Sequence, residues 1–227
     1  MKNYKTLFSI ILVKPIRVFL FTFLMISMVG CSVFGVRTTE ELKYNIVTLS
    51  DDIEIREYKP YIAATTSMQG SYEAVQSDLF RTLAGYIFGK NSTDSKIAMT
   101  APVQTNPEIK ASSEKIDMTA PVLMQSESTD LWSMTFSMPS KYTIQTLPKS
   151  LDSKIMLIEV PAKKIAVIRF SGSYDDLEKR RSKAAELLDW LAAQQYKAVS
   201  KPVFAGYDPP FTLPFLRRNE VLIEIER

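Results

Sequence analysis

Apolar and polar positions along this chain alternate mostly with a two-residue period, and a helical period replaces it in two places. Tyr44–Ser50 and Ile53–Tyr58 are short β-rich runs separated by Asp51-Asp52, a pair that favours a turn. Pro60 interrupts the chain, and Tyr61–Met68 reads as the next strand. Val75, Leu79, Leu83 and Ile87 then recur at four-residue steps and predict a helix over Ser71–Phe88, with Ser71 placed to cap it and Gly89-Lys90-Asn91-Ser92 ending it. Lys96–Val103 and Lys115–Met124 read as strands around a polar loop. In Leu131–Met138 the large side chains Trp132, Met134, Phe136 and Met138 share one face, and Ser133, Thr135 and Ser137 share the other, which predicts a half-buried strand with a solvated side. Lys154–Val160 and Lys163–Phe170 are strands flanking Pro161. The second helix is expected over Ser173–Gln195, with Leu177, Ala184, Leu187, Leu188 and Leu191 inward and Lys179, Arg180, Arg181 and Lys183 outward as a solvated face. Val199–Gly206 and Glu220–Glu226 are the last strands. About eight or nine strands with two helices make an α+β pattern of mostly antiparallel type.

Two internal repeats organise this pattern. Ile62–Tyr72 and Ile165–Tyr174 are each a strand followed by Gly-Ser-Tyr and a helix, with the glycine permitting the turn and the serine capping. The domain therefore reads as two β-α-β-β halves related by pseudo-symmetry, able to close a distorted barrel with both helices outside. The second repeat is short. Ile97-Ala98-Met99-Thr100-Ala101-Pro102-Val103 recurs as Ile116-Asp117-Met118-Thr119-Ala120-Pro121-Val122. A proline within a strand points to an edge position or a bulge. The two copies are expected to form a hairpin lining one rim, with Ile97, Met99, Val103, Ile116, Met118 and Val122 as an apolar ligand wall; the bland alternative for each Met is core filler.

The N-terminus changes the reading of the charge. Lys2, Lys5, Lys14 and Arg17 precede an apolar run, Val18–Val29, that ends in Met28-Val29-Gly30-Cys31. Basic, then apolar, then small residues is the order of a secretory signal, and the tetrapeptide resembles a bacterial lipobox whose Cys receives the lipid. Residues 1–30 are expected to be a lipoprotein signal peptide, 31–41 a lipidated tether attached at Cys31, and 42–227 one domain. An uncleaved anchor is the alternative. Either way the domain faces the bacterial periplasm at a membrane, and Ser32 after the Cys leans to the outer membrane. The whole chain carries +3, but residues 1–30 hold four of its 28 basic residues and none of its 25 acids, so the remainder sums to −1. No basic stripe is left to suggest nucleic acid.

Composition excludes more. The chain has no histidine and one cysteine. That removes Ser-His-Asp and Cys-His nucleophile systems, histidine-based zinc or iron sites, CxxC motifs and an internal disulfide.

Three separated features resemble the SOUL haem-binding family: the paired Ile-x-Met-Thr-Ala-Pro-Val segments, the two Gly-Ser-Tyr halves, and Ala205-Gly206-Tyr207-Asp208-Pro209-Pro210 followed by Arg217-Arg218-Asn219-Glu220. The resemblance spans about Tyr44 to Glu226. It implies a distorted antiparallel barrel of two β-α-β-β repeats flanked by two helices, like the gyrase-inhibitor-like effector-binding fold. It also implies non-enzymatic binding of haem or a related tetrapyrrole in an apolar cleft. Without histidine, an iron ligand would be the Met99 or Met118 thioether, or a Tyr or Lys. Lys90, Lys96, Arg217 or Arg218 would meet the propionates, with internal ion pairing to Asp208 and Glu220 as the alternative for the two arginines.

Two other readings remain open from the residues alone. One is a module binding another amphipathic small molecule or a protein partner. The other is a tetrapyrrole-processing enzyme using Glu54, Glu57 or Asp117, residues that more simply form a solvated strand face.

Overall fold

The computed structural model describes residues 37, 39–92, 113–128 and 130–226. In chain order its elements are β1 (Glu40–Glu41), β2 (Tyr44–Ser50), β3 (Ile53–Tyr58), β4 (Tyr61–Gln69), α1 (Tyr72–Ile87), β5 (Asn91–Ser92), β6 (Thr119–Ala120), β7 (Val122–Ser128) and β8 (Leu131–Ser137). There follow β9 (Lys149–Ser150), β10 (Met156–Val160), β11 (Lys163–Phe170), α2 (Leu177–Ala193), β12 (Lys197–Ala198), β13 (Val203–Gly206) and β14 (Asn219–Glu226). The main sheet runs β10-β4-β8-β7-β13-β14-β11-β3-β2, with β12 added beside β14, and every pairing in it is antiparallel. The sheet curls into a half-barrel carrying both helices, the α+β architecture expected from the sequence.

The strand order is symmetric about the seam where β7 meets β13. The unit β3-β4-α1-β7-β8 is matched by β10-β11-α2-β13-β14. In each half the strand before the helix pairs with the last strand, β4 with β8 and β11 with β14. The leading strands are exchanged: β3 pairs with β11, and β10 with β4. Gly70 and Gly172 occupy equivalent turns with the same φ of 139°, a conformation that a side chain strongly disfavours.

The two helix starts differ from expectation. Ser71 is the N-cap of α1 through its backbone carbonyl, which accepts from the amides of Ala74 and Val75, and its hydroxyl makes no capping bond. In the second half Tyr174 is followed by a turn, so α2 begins at Leu177, capped by the Asp176 carboxylate, which accepts from the Lys179 amide at 2.9 Å.

Each helix covers its own half of the convex face. Val75, Leu79, Leu83 and Ile87 of α1 pack on Ala64, Met124, Met134 and Phe136. Ala184, Leu187 and Leu191 of α2 pack on Ile55, Ala166, Ile168, Val221 and Ile223. Each large apolar side chain so buried contributes about 1.5–3 kcal/mol. Leu188 lies outside that stripe and is exposed. Arg180, grouped by its neighbours with a solvated face, is instead buried, because its position on α2 faces the seam between the halves.

The concave face is also not open to solvent as the Leu131–Met138 alternation suggested. Ser133 and Ser137 are buried there. Strand β1 pairs in parallel with β6, and the Thr119 hydroxyl donates to the Ser137 carbonyl. Pro121 follows a cis peptide bond and lies between β6 and β7, in neither strand; β7 itself is an interior strand between β8 and β13 and not an edge. On this face Arg56 makes two hydrogen bonds to the Glu220 carboxylate at 2.8 and 2.9 Å, and Arg218 Nε adds a third to Oε1 at 2.9 Å. Burial opposes the Glu220 charge, but hydrogen bonding and attraction from Arg56 and Arg218 outweigh it and hold the carboxyl below its usual range. Among the described residues, no helix is long and apolar enough to cross a membrane.

Candidate functional site

A cleft of about 510 Å³ lies on the convex side, over the seam between the two halves. Tyr72, Gln76 and Phe80 of α1 form one wall, and Phe170, Tyr174 and Arg180 form the other. Val122, Met124, Met134, Phe204 and Gly206 supply the floor from the central strands. The floor is apolar because these strand positions face the same side as the helices, where α1 and α2 leave a gap between them.

Arg180 is the polar centre of this cleft. It is only 7% exposed. Its Nη1 donates to the Tyr72 hydroxyl at 2.9 Å, and its guanidinium lies 5.2 Å from the Tyr72 ring centre and 5.3 Å from that of Phe204. Among the described residues no carboxylate pairs with it. A buried cation held by a phenol and two aromatic faces is incompletely compensated and is suited to receive an anion. Arg81 stands at the mouth but is already paired with Asp78 at 2.6 Å.

Two tyrosines from the Gly-Ser-Tyr repeat shape the walls. Burial pushes the Tyr72 phenol up, with Arg180 pulling the other way, and burial likewise raises Tyr174. Both stay protonated at neutral pH and act as donors: Tyr72 to the Tyr174 carbonyl at 3.5 Å, and Tyr174 to the Asp208 carbonyl. The Tyr174 ring lies directly on Gly206, where an added Cβ would sit 2.8 Å from its Cε1. The close approach requires glycine there.

The residues singled out from the sequence are dispersed. Ile97, Met99, Val103 and Lys96 lie outside the described residues, as does Cys31. Val122 does line the cleft. Ile116 does not; it is fully buried beneath α1, its amide bonded to the Ile87 carbonyl at 2.7 Å. Met118 packs partly buried against that same core. Arg217 is spent on the loop beside it, donating to the carbonyls of Thr212 at 2.7 Å and Pro210 at 2.5 Å, with its guanidinium 4.8 Å from the Tyr174 ring centre. Arg218 serves the concave cluster, bridging Glu220 and Glu41. Lys90 sits past the C-terminal end of α1, its side chain against Gly85.

The concave face holds a smaller hollow of about 300 Å³, where Lys163 and Glu224 pair at 2.5 Å. Another of about 660 Å³ is rimmed by Glu40, Lys43, Lys59 and Glu159. Among the described residues, neither combines an apolar floor with a buried cation that lacks a carboxylate partner.

The model of the SOUL heme-binding protein family matches residues 39–113 and 106–224. The chain belongs to the SOUL family. Among curated proteins no sequence matches it. A cryo-EM structure of an EcmrR–DNA complex superposes on this SOUL protein with a TM-score of 0.51 at 12% identity, covering 77% of this chain and 57% of that one, a likeness of fold alone. The crystal structure of the EcmrR C-terminal domain gives 0.48 at 12% identity over 81% of this chain and 98% of that one. A hydrolase from Listeria innocua gives 0.48 at 12% identity over 79% and 94%.

The cleft's residues fit a tetrapyrrole, the ligand class that the family's name implies. A porphyrin is a flat apolar plate with two carboxylates, and the site offers aromatic walls, an apolar floor and one incompletely paired guanidinium. Among the described residues, Met124 and Met134 are the thioethers in the lining, and Tyr72 and Tyr174 the phenols. Among the described residues there is no cluster of His, Cys, Asp and Glu that could hold a metal ion by itself.

Proposed function

We propose that this SOUL protein binds haem or a related tetrapyrrole in the cleft between α1 and α2, without catalysing a reaction on it, and so sequesters, buffers or transfers it. The observation that carries this reading is Arg180, a buried cation in an apolar cleft whose partners among the described residues are a phenol and two rings and not a carboxylate. A propionate would complete its pairing, with charge-assisted hydrogen bonds. Phe80, Phe170 and Phe204 would clasp the macrocycle. Bound haem would bring a redox-active iron into the site, and the Met124 or Met134 thioether of the lining would be available to hold it.

Binding in place of catalysis is supported by the fate of the acids. Glu54 is bonded to Arg56 at 2.6 Å, Asp117 to Lys141 at 3.1 Å, and Glu57 to Lys164 at 3.3 Å. The lipobox-like Met28-Val29-Gly30-Cys31 supports a place at the bacterial envelope, tethered through a lipid on Cys31.

Titration with hemin and with iron-free protoporphyrin, followed by absorbance and by quenching of Trp132 and Trp190, tests the reading. Saturation at one ligand per chain is expected for both. Unsaturable uptake, or displacement by any lipophilic cation in preference to the porphyrin, would overturn it in favour of another amphipathic ligand.

A further inference from the structure

One loop beside the cleft displays more apolar surface than a solvated turn requires. Between β13 and β14, Phe211 is 61% exposed, Leu213 37% and Phe215 69%. The loop is held firmly in that posture. The Arg217 guanidinium binds the carbonyls of Pro210 and Thr212, the Gly172 amide binds the Pro214 carbonyl at 2.9 Å, and Leu216 closes a short 3₁₀ turn onto Leu213 at 2.9 Å. The same loop borders the cleft, since Asp208 and Pro210 are among its lining residues.

The N-terminal segment ends at this place. Arg37 pairs with Asp208 at 3.3 Å. Cys31 is six residues earlier, and six residues span at most about 20 Å even when fully extended. A lipid on Cys31 therefore keeps the Arg37 backbone within about 20 Å of the bilayer, with the Asp208 end of the domain one side-chain contact away. Large aromatic and aliphatic side chains at that distance match the boundary between headgroups and acyl chains.

We propose that the Pro209–Leu216 loop is a membrane-contact surface, in which Phe211, Leu213 and Phe215 enter the lipid interface and the cleft opens onto the bilayer. This rests on the reading of Cys31 as the lipid attachment site. It gives an amphipathic plate a route from the lipid into the protein without crossing water. Recognition is by apolar insertion, so contact should persist at high salt.

The full-length protein, purified from membranes and reconstituted in phosphatidylcholine–phosphatidylethanolamine vesicles, provides the test. A nitroxide is placed at Phe215→Cys and, in a second sample, at Leu151→Cys, a position 68% exposed directly after β9, its amide bonded to the Lys90 carbonyl at 3.3 Å. Acylated Cys31 takes no label, so the introduced thiol is the one that reacts. The label at Phe215→Cys should be accessible to oxygen and shielded from a water-soluble nickel chelate, with the reverse at Leu151→Cys. Water-like accessibility at both positions, or spin–spin coupling showing that a second copy covers the loop, would overturn the proposal. The mass of the Cys31 peptide reads acylation separately, and an unmodified Cys31 would overturn the tether on which the proposal rests. Neither readout depends on hemin, so failure of the tetrapyrrole reading would show independently.

Discussion

Replacing Arg180 by Met removes the buried charge of the cleft while keeping much of the side chain's bulk. In the protein without ligand the loss is one hydrogen bond to Tyr72 and two ring contacts. The Tyr72 hydroxyl keeps the Tyr174 carbonyl as an acceptor at 3.5 Å, so the fold should survive. With a propionate bound, the loss is a hydrogen bond between charged groups, worth about 1.5–3 kcal/mol. At 1.4 kcal/mol per tenfold, the dissociation constant of a porphyrin diacid should rise about 10- to 150-fold. The decisive comparison is between mesoporphyrin and its dimethyl ester, titrated against both proteins by fluorescence quenching. The ester should bind the two proteins alike, and the diacid should discriminate between them. Arg180→Lys should recover part of the loss, because an ammonium supplies charge without the planar fork. Equal weakening of acid and ester would mean that Arg180 acts by supporting the walls alone, and no change with either would remove it from the site.

Glu220→Gln should lower stability to unfolding by about 3–5 kcal/mol, because Arg56 and Arg218 would be left buried beside a neutral group; denaturant midpoints check this. The same carboxyl sets an acid limb: its folded value lies below the usual 4.5, so its contribution is present above that value and is lost as pH falls through the depressed one. Thermal midpoints of the native protein should therefore drop steeply in acid, and the Glu220→Gln variant should show a shallower slope there. Gly206→Ala should force the Tyr174 ring away from a methyl 2.8 Å from its Cε1, costing about 1–3 kcal/mol and weakening porphyrin binding through the displaced wall.

Much of the fold is legible in the sequence because local periods and turn chemistry agree with it. The Gly-Ser-Tyr pair marks equivalent turns, and Gly70 and Gly172 do share one φ. The exchange of β3 and β10 between halves is not legible, since nothing local to Ile53–Tyr58 or Met156–Val160 names a partner across the barrel. The concave cluster of Arg56 and Glu220 joins residues 164 positions apart in the chain, and nothing local to either names the other.

The site was legible only in part. The Met-Thr-Ala-Pro-Val repeat drew attention to its own side chains, yet its second copy delivers Ile116 to the core and only Val122 to the cleft. Tyr72 and Tyr174 carried a usable signal, since a repeated aromatic at the start of each helix places two rings near the seam. Arg180 carried none. It sits in a run of basic residues on a helix, and only the packing of α2 against the other half separates it from Lys179 and Arg181, which are exposed.

The cleft claim is tested most directly by closing its mouth with a charge at a position the fold can spare. Phe80 lines the cleft and is 38% exposed, so Phe80→Glu should fold while setting a carboxylate against the face of the macrocycle. Hemin titrated into the full-length protein should saturate at one per chain, and into Phe80→Glu it should show no saturable phase. A variant that titrates like the native protein would contradict the account, because the tetrapyrrole would then be bound elsewhere.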